Sequence, residues 1–127
     1  MGNANSNKAN MPIVVNIKYS KLEKLITNLK ECLNNLANEK INSSEELEKC
    51  EYNNNFIHFQ DEINNELMII RNSISNDITN MSDYTKSTIK LKKYIFEIQL
   101  IIKKYFEIVK NIKTLLLNKN SIIIIFF

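Results

Sequence analysis

The sequence has almost none of the residues that make sharp turns, since its 127 residues include one glycine and one proline. Sheet proteins need many tight turns, in which these two residues supply the required backbone angles, so the composition favours long helices. A single glycine also excludes the glycine-rich loops that hold phosphates in nucleotide-binding proteins. At this length the chain forms at most one domain, and we predict an all-α fold.

Residues that carry catalysis or bind metals are also scarce. His58 is the only histidine, and Cys32 and Cys50 stand far apart without clustered histidines, which does not suggest a zinc site. In a reducing compartment the two thiols are predicted to be small buried hydrophobes rather than a disulfide. Adjacent acids such as Glu45 and Glu46 do not face each other on a helix. We therefore predict a non-catalytic protein without a cofactor, metal or small-molecule substrate.

Segments that would export or embed the protein are lacking too. The first thirty residues contain no apolar core behind a charged start, so secretion is not predicted and the protein is expected to stay inside the cell. The ending SIIIIFF has six apolar residues after Ser121, whereas crossing a bilayer takes roughly twenty. Residues 118–127 are therefore treated as an apolar tail with the composition of an aggregation-prone strand. A mispredicted reading frame is an alternative origin, and no role is assigned to the tail.

What the sequence does have begins with MGNANSNK, which matches the N-myristoylation pattern of Met-Gly, three variable residues and then Ser or Thr. Gly2 would carry the acyl chain, Ser6 completes the motif, and Lys8 adds a nearby positive charge. The alternative is a chance match in a chain rich in Asn and Ser. We predict that residues 1–16 form a flexible acylated N-terminus at the cytoplasmic face of an intracellular membrane.

Charge is divided into blocks along the chain. Residues 1–30 hold five lysines and one acid, residues 31–83 hold eleven acids and three bases, and residues 84–120 hold nine lysines and two acids. The blocks therefore carry +4, −8 and +7. They could pair antiparallel segments in a bundle, or meet an acidic membrane and basic partners at different ends. Nucleic-acid binding is not predicted, because Arg71 is the only arginine and the lysines alternate with apolar residues typical of a core.

An amphipathic helix is predicted over residues 17–41, followed by a linker and helix entry over residues 42–62. Apolar residues of the first segment recur in steps of three and four, as in Leu22, Leu25, Leu29, Cys32 and Leu36. Ser43 and Glu46 have the spacing of a capping box at the start of the next helix. Basic residues recur every third position in the first turns: Lys18, Lys21 and Lys24. These lysines either face water or contact anionic headgroups beside an acylated Gly2.

A long coiled-coil helix is predicted over residues 63–117. Positions a and d of one heptad frame over residues 63–116 are apolar except for Asp77 and Thr88, which is the pattern of a coiled-coil or bundle helix. The two polar residues indicate either a register device or hinge, or a break within residues 82–88. In the second case Ser82 or Asp83 would serve as the N-cap.

From Tyr94 onward the g positions become apolar as well, which gives a stripe wide enough to bury against two neighbouring helices. A single chain is not expected to cover this stripe, so helical protein partners are predicted, and a hetero-oligomer is favoured over a homo-oligomer. The predicted partner interface consists of the a and d residues of the C-terminal half: Leu91, Ile95, Ile98, Ile102, Tyr105, Val109, Ile112 and Leu116.

A family resemblance rests on the candidate acyl site at Gly2, on KLEKL (residues 21–25) upstream of a cysteine, and on Lys93-Tyr94 followed by Ile98-Gln99 in the C-terminal helix. Together these features resemble the myristoylated subunit of BORC, an all-helical hetero-oligomeric complex of lysosomal membranes. The resemblance implies a membrane-tethered adaptor in lysosome or endosome positioning, and it transfers a functional role to Gly2 alone. The segment before the first helix is much shorter here than in that family.

A second hypothesis is a structural protein. In this alternative, a myristoylated coiled-coil protein of a membrane-associated cytoskeleton assembles with copies of itself. Both hypotheses use the same lipid and the same long helix, and they differ in the partner.

Overall fold

A computed structural model describes the backbone of residues 17–126 and the side chains of residues 17–118. The prediction of an all-α fold is confirmed, since this part of the chain contains four helices and no strand. The helices are α1 (Ser20–Asn38), α2 (Ser44–Lys49), α3 (Glu51–Asp77) and α4 (Met81–Phe126).

Helix α1 buries the face that the periodicity of the sequence predicts. The side chains of Leu22, Leu29 and Leu36 are fully buried, because steps of seven residues place them on one line along the helix. The helix ends at Asn38, after which Glu39 adopts an extended conformation. This buried face packs mainly against α3 and partly against α4.

Helix α2 begins with the predicted capping residues. The Ser43 hydroxyl accepts a hydrogen bond from the Glu46 backbone N–H at 3.1 Å. The Glu46 carboxylate accepts in return from the Asn42 backbone N–H at 2.7 Å, one residue earlier than in a standard capping box. The helix is only six residues long, and Leu47 is its one buried side chain. It turns the chain from α1 into α3.

The long C-terminal segment is divided into two helices, and its break is displaced from the predicted site. Helix α3 already begins at Glu51, well before residue 63. The break lies at residues 78–80, just before Ser82, and Asn80 is the cap. The Asn80 side-chain oxygen accepts from the backbone N–H groups of Ser82 at 2.8 Å and Asp83 at 3.2 Å. The two residues predicted as caps are therefore the donors, and α4 folds back along α3.

The three long helices run in an up-down-up arrangement. Phe56 near the start of α3 stacks on Tyr105 in the middle of α4, with ring centroids 4.1 Å apart, so these helices are antiparallel. Tyr19 beside the start of α1 stacks on Tyr94 at 5.4 Å. At the far end of α1, Leu36 lines a common cavity with Ile108 of α4. Helices α1 and α4 are therefore parallel.

Helix α4 extends beyond the bundle. Its 46 residues correspond to roughly 70 Å at about 1.5 Å per residue, more than twice the length of the 19-residue α1. Leu115 and Leu117 are 68% and 65% exposed. The backbone stays helical through Phe126, so the tail is not a strand as its composition suggested. No helix in the described range has an apolar stretch long enough to span a bilayer.

Candidate interaction surfaces

The groups considered for catalysis or metal binding lie apart. His58 is exposed, and its Nε2 lies 2.8 Å from the Glu62 carboxylate one turn away on α3. Cys32 is buried and Cys50 half-buried, and neither forms a disulfide. Burial, together with Glu31 and Glu51, raises the pKa of the Cys32 thiol and so disfavours the reactive thiolate. No cluster of three potential metal ligands occurs within residues 17–118.

The residues predicted at a membrane surface are only partly described. Gly2, Ser6 and Lys8 lie outside the described residues. The other three predicted lysines, Lys18, Lys21 and Lys24, are exposed near the start of α1. The amine of Lys21 lies 3.6 Å from the carboxylate of Glu66 on α3, which is 8% exposed. Lys21 therefore neutralises a buried acid between two helices, a structural task that the sequence did not indicate.

The structure divides the predicted partner interface into two groups. Leu91, Ile98 and Tyr105 are buried in the core of the chain itself, because α1 and α3 cover them. The prediction that partner helices cover these three side chains is therefore wrong. The remaining members are half-buried, and we call them the half-buried group: Ile95, Ile102, Val109, Ile112 and Leu116.

An open groove runs beside the half-buried group. Between α3 and α4 lies a cavity of about 350 Å³, whose lining includes Ile74 and Ile95. Further along α4 lies a shallow depression of about 420 Å³, lined by α4 alone, that includes Ile102 and Phe106. Phe106 is 62% exposed, and its ring lies beside that of the buried Tyr105 with the centroids 5.6 Å apart. We call the cavity and the depression together, along α4 from Tyr84 to Lys110, the open groove.

The rim of the open groove is basic. Arg71 and Lys92 line its upper cavity, while Lys103 and Lys110 line its lower depression, where Glu107 is the one acid among the lining residues. All four basic side chains are exposed. The groove therefore attracts acidic rather than basic ligands.

A polar layer joins α1 to α4 on the other side of the bundle. The Tyr94 hydroxyl donates a hydrogen bond to the Glu23 carboxylate at 3.0 Å, and Lys30 forms an ion pair with Glu97. The amine of Lys90 lies 4.4 Å from the centre of the Tyr19 ring, in a cation–π contact. These contacts fix the parallel pairing of the two helices.

This layer raises the pKa of the Tyr94 hydroxyl to about 12, because burial and the adjacent Glu23 carboxylate disfavour the phenolate. In the unfolded chain the pKa of tyrosine is about 10. The raised value stabilises the folded state fully below pH of about 10, and this stabilisation is lost as pH rises through about 12. Tyr94→Phe should therefore lose less stability across this range than the parent protein. Urea denaturation at a series of alkaline pH values measures this difference.

The matched control for this alkaline effect is Tyr84→Phe, at an exposed tyrosine of the same helix. Burial also raises the pKa of Tyr19 and Tyr105, so the phenolate absorbance change near pH 12 should be smaller by one tyrosine in Tyr94→Phe than in this control. An equal absorbance change near pH 12 in the two variants would contradict the hydrogen bond to Glu23.

The exposed apolar residues of α4 that the sequence did not single out are Ile89, Phe96, Leu100, Phe106 and Leu117. None occupies an a, d or g position in the heptad frame. A signal for them was present, since apolar residues at outward positions of a lysine-rich helix indicate a second contact surface.

Comparison with known proteins found no match among protein-family models, curated proteins or solved structures.

Proposed function

We propose that the chain is a non-catalytic helical adaptor or complex subunit, tethered to a membrane through a myristoyl group on Gly2, and that a helix of another protein binds in the open groove. The observation that supports a protein partner is the exposure of Phe106, which is 62% exposed next to the half-buried Ile102. An aromatic side chain at the edge of a packed core is a typical anchor for a partner.

A helix is the occupant that the geometry favours. Helices α1 and α3 cover the inner face of α4 from one side only, and the open groove offers the position that a fourth long helix would take in a bundle. Residues of α4 line this position at helical spacing, in steps of three and four, and Ile95, Ile102 and Phe106 are the apolar ones, with Gln99 between them. An amphipathic helix buries its apolar stripe in such a groove.

Charge favours a partner that differs from this chain. Two copies meeting groove to groove would bring Lys92, Lys103 and Lys110 of each copy near those of the other, and like charges oppose that contact. A helix with Asp or Glu beside its apolar stripe would instead neutralise the rim. This preference supports hetero-oligomeric assembly over self-assembly.

The resemblance to the myristoylated BORC subunit agrees with an adaptor of this kind. Because of that resemblance, we also propose a lysosomal or endosomal location and a role in positioning these organelles. The described helices contribute the partner groove, and Gly2 contributes the tether.

Phe106→Ser tests the groove. This variant should lose the proteins that co-purify with the parent chain from native cells at fixed stoichiometry, because it removes the exposed anchor without opening the core. Phe96→Ser is the matched control, since Phe96 is 63% exposed on the same helix but outside the groove lining. The measurement is affinity purification followed by quantitative mass spectrometry.

Equal partner recovery with Phe106→Ser and the parent would contradict the groove as the binding site. Measuring the mass of the purified chain in solution separates the alternative function. A discrete homo-oligomer that Phe106→Ser dissolves would support the structural protein of a membrane-associated cytoskeleton instead.

A further inference from the structure

Helix α4 has a second apolar stripe, on the face turned away from the bundle. Ile89, Phe96 and Leu100 are 51%, 63% and 47% exposed. Steps of seven and four residues place them on one line, roughly opposite the buried Leu91 and Ile98 at about 100° per residue. We call these three residues the outer stripe. The bundle does not bury it.

Lysines flank the outer stripe on both sides. Lys86, Lys93 and Lys104 follow one edge, and Lys92 and Lys103 follow the other, and all five are exposed. Between residues 84 and 106 the sequence contains one acid, Glu97. Its carboxylate is already paired with Lys30 of α1, so the positive charge of this face is not neutralised by its own helix.

We propose that the outer stripe and its lysines bind the surface of a bilayer containing anionic lipids. Apolar side chains between two rows of lysine are the pattern of helices that lie in the interface plane, where lysine stems extend to the headgroups. Phe96 and Leu100 project from the convex side of one helix, while Ile89 borders a shallow hollow of about 510 Å³ together with Lys86 and Lys93. The open groove faces a different direction. A bilayer surface accepts a convex face, whereas a partner helix needs a groove.

This inference deepens the membrane tether of the proposed function, and it does not depend on the acyl chain. The described chain begins beside the same part of α4, since Tyr19 contacts Lys90 and Tyr94. The fifteen residues from Gly2 to Asn16 span at most about 50 Å when fully extended, at roughly 3.3 Å per residue. A lipid on Gly2 and the outer stripe can therefore reach the same membrane together.

The first experiment uses the full chain prepared without an acyl group, so its outcome is independent of Gly2. The chain contains no tryptophan, and Phe96→Trp therefore supplies a single fluorescent reporter on the outer stripe. Vesicles of phosphatidylcholine with phosphatidylserine should shift its emission to the blue, and brominated lipids should quench it. Phe106→Trp in the open groove is the matched control and should show neither change. Vesicles of phosphatidylcholine alone should have little effect.

The second experiment removes charge. Lys86→Gln with Lys93→Gln and Lys104→Gln should weaken partitioning into the anionic vesicles at least tenfold, since each lysine near such a surface contributes roughly fivefold. These three lysines lie away from the open groove, so partner binding stays intact. The control replaces three exposed lysines elsewhere, Lys40, Lys49 and Lys113, by Gln, and should bind as the parent does.

Three results would overturn the proposal: no blue shift of Phe96→Trp with anionic vesicles, equal binding by the two triple-lysine variants, or equal binding to neutral vesicles. Burial of Phe96→Trp by a co-purified protein, with no response to vesicles, would assign the outer stripe to a protein partner instead. The proposed adaptor function fails by a different result, namely unchanged partner recovery with Phe106→Ser.

Discussion

Replacing Phe56 with alanine is expected to lower the free energy of unfolding by about 3 to 5 kcal/mol. Its ring is fully buried and stacks on Tyr105 with the ring centroids 4.1 Å apart, so truncation removes the contact and leaves a cavity between α3 and α4. Domains of this size are stable by roughly 5 to 15 kcal/mol in total. The variant should therefore unfold at a much lower urea concentration, as measured by far-UV circular dichroism.

The control for this loss is Phe106→Ala, which removes the same atoms from the same residue type. Because Phe106 is 62% exposed, its truncation should change the free energy of unfolding by no more than about 0.5 kcal/mol. Equal destabilisation by the two substitutions would show that Phe56 is not the centre of the packing between these helices.

Gly2→Ala should move most of the protein from the membrane fraction to the soluble fraction of native cells. Alanine at this position prevents N-myristoylation, and one myristoyl chain contributes a partition constant on the order of 10⁴ M⁻¹. The fraction that stays on membranes should be removed by salt, because the lysines beside the outer stripe would hold it electrostatically. Cell fractionation with and without added salt measures both parts.

Asn3→Ala is the matched control for the lipid, since it changes a variable position of the motif and should leave the protein acylated and on the membrane. Intact-mass measurement on the native protein provides the direct check. Absence of an acyl group on the parent chain would remove the tether from the proposed function, while the groove and the outer stripe would still be tested by their own variants.

The sequence contains enough information to predict the inner face of each helix. Leu22, Leu29 and Leu36 recur at helical spacing, and hydrophobic burial then requires that this face be covered. The same periodicity marks Leu91 and Ile98. Periodicity shows which side chains are buried but not which helix buries them. An apolar stripe has the same sequence pattern whether the helix that packs on it belongs to the same chain or to another.

The break between α3 and α4 determines which helices bury the apolar stripe of α4. A sequence of apolar a and d positions predicts one long helix, but Ile78 is extended after α3, and Asn80 caps α4 through two hydrogen bonds to backbone N–H groups. With α4 returned, α1 and α3 bury Ile98 inside the chain, where it is 4% exposed. Replacing Ile98 and Ile102 with Asp would therefore unfold the bundle, so these two positions cannot be used to test partner binding. A substitution at the exposed Phe106 can test partner binding without unfolding the chain.

The candidate surfaces were less predictable than the core. Phe96 and Phe106 lie outside the heptad seam, and their outward positions indicate a second contact surface without showing what binds there. Their exposure depends on how α1 and α3 are placed around α4, which is a property of the tertiary structure. Lys21 could not be assigned from spacing either, because its partner Glu66 lies on a different helix.

The parallel pairing of α1 and α4 has a mechanical consequence. The chain that leads to Gly2 leaves the bundle at the start of α1, and the projecting part of α4 leaves at the opposite end. A pulling force applied between these two ends would act along the bundle axis. Such a force would shear α1 past α4 and load the Tyr94–Glu23 and Lys30–Glu97 contacts simultaneously, instead of opening them one after another. The bundle would therefore resist tension applied between its two ends.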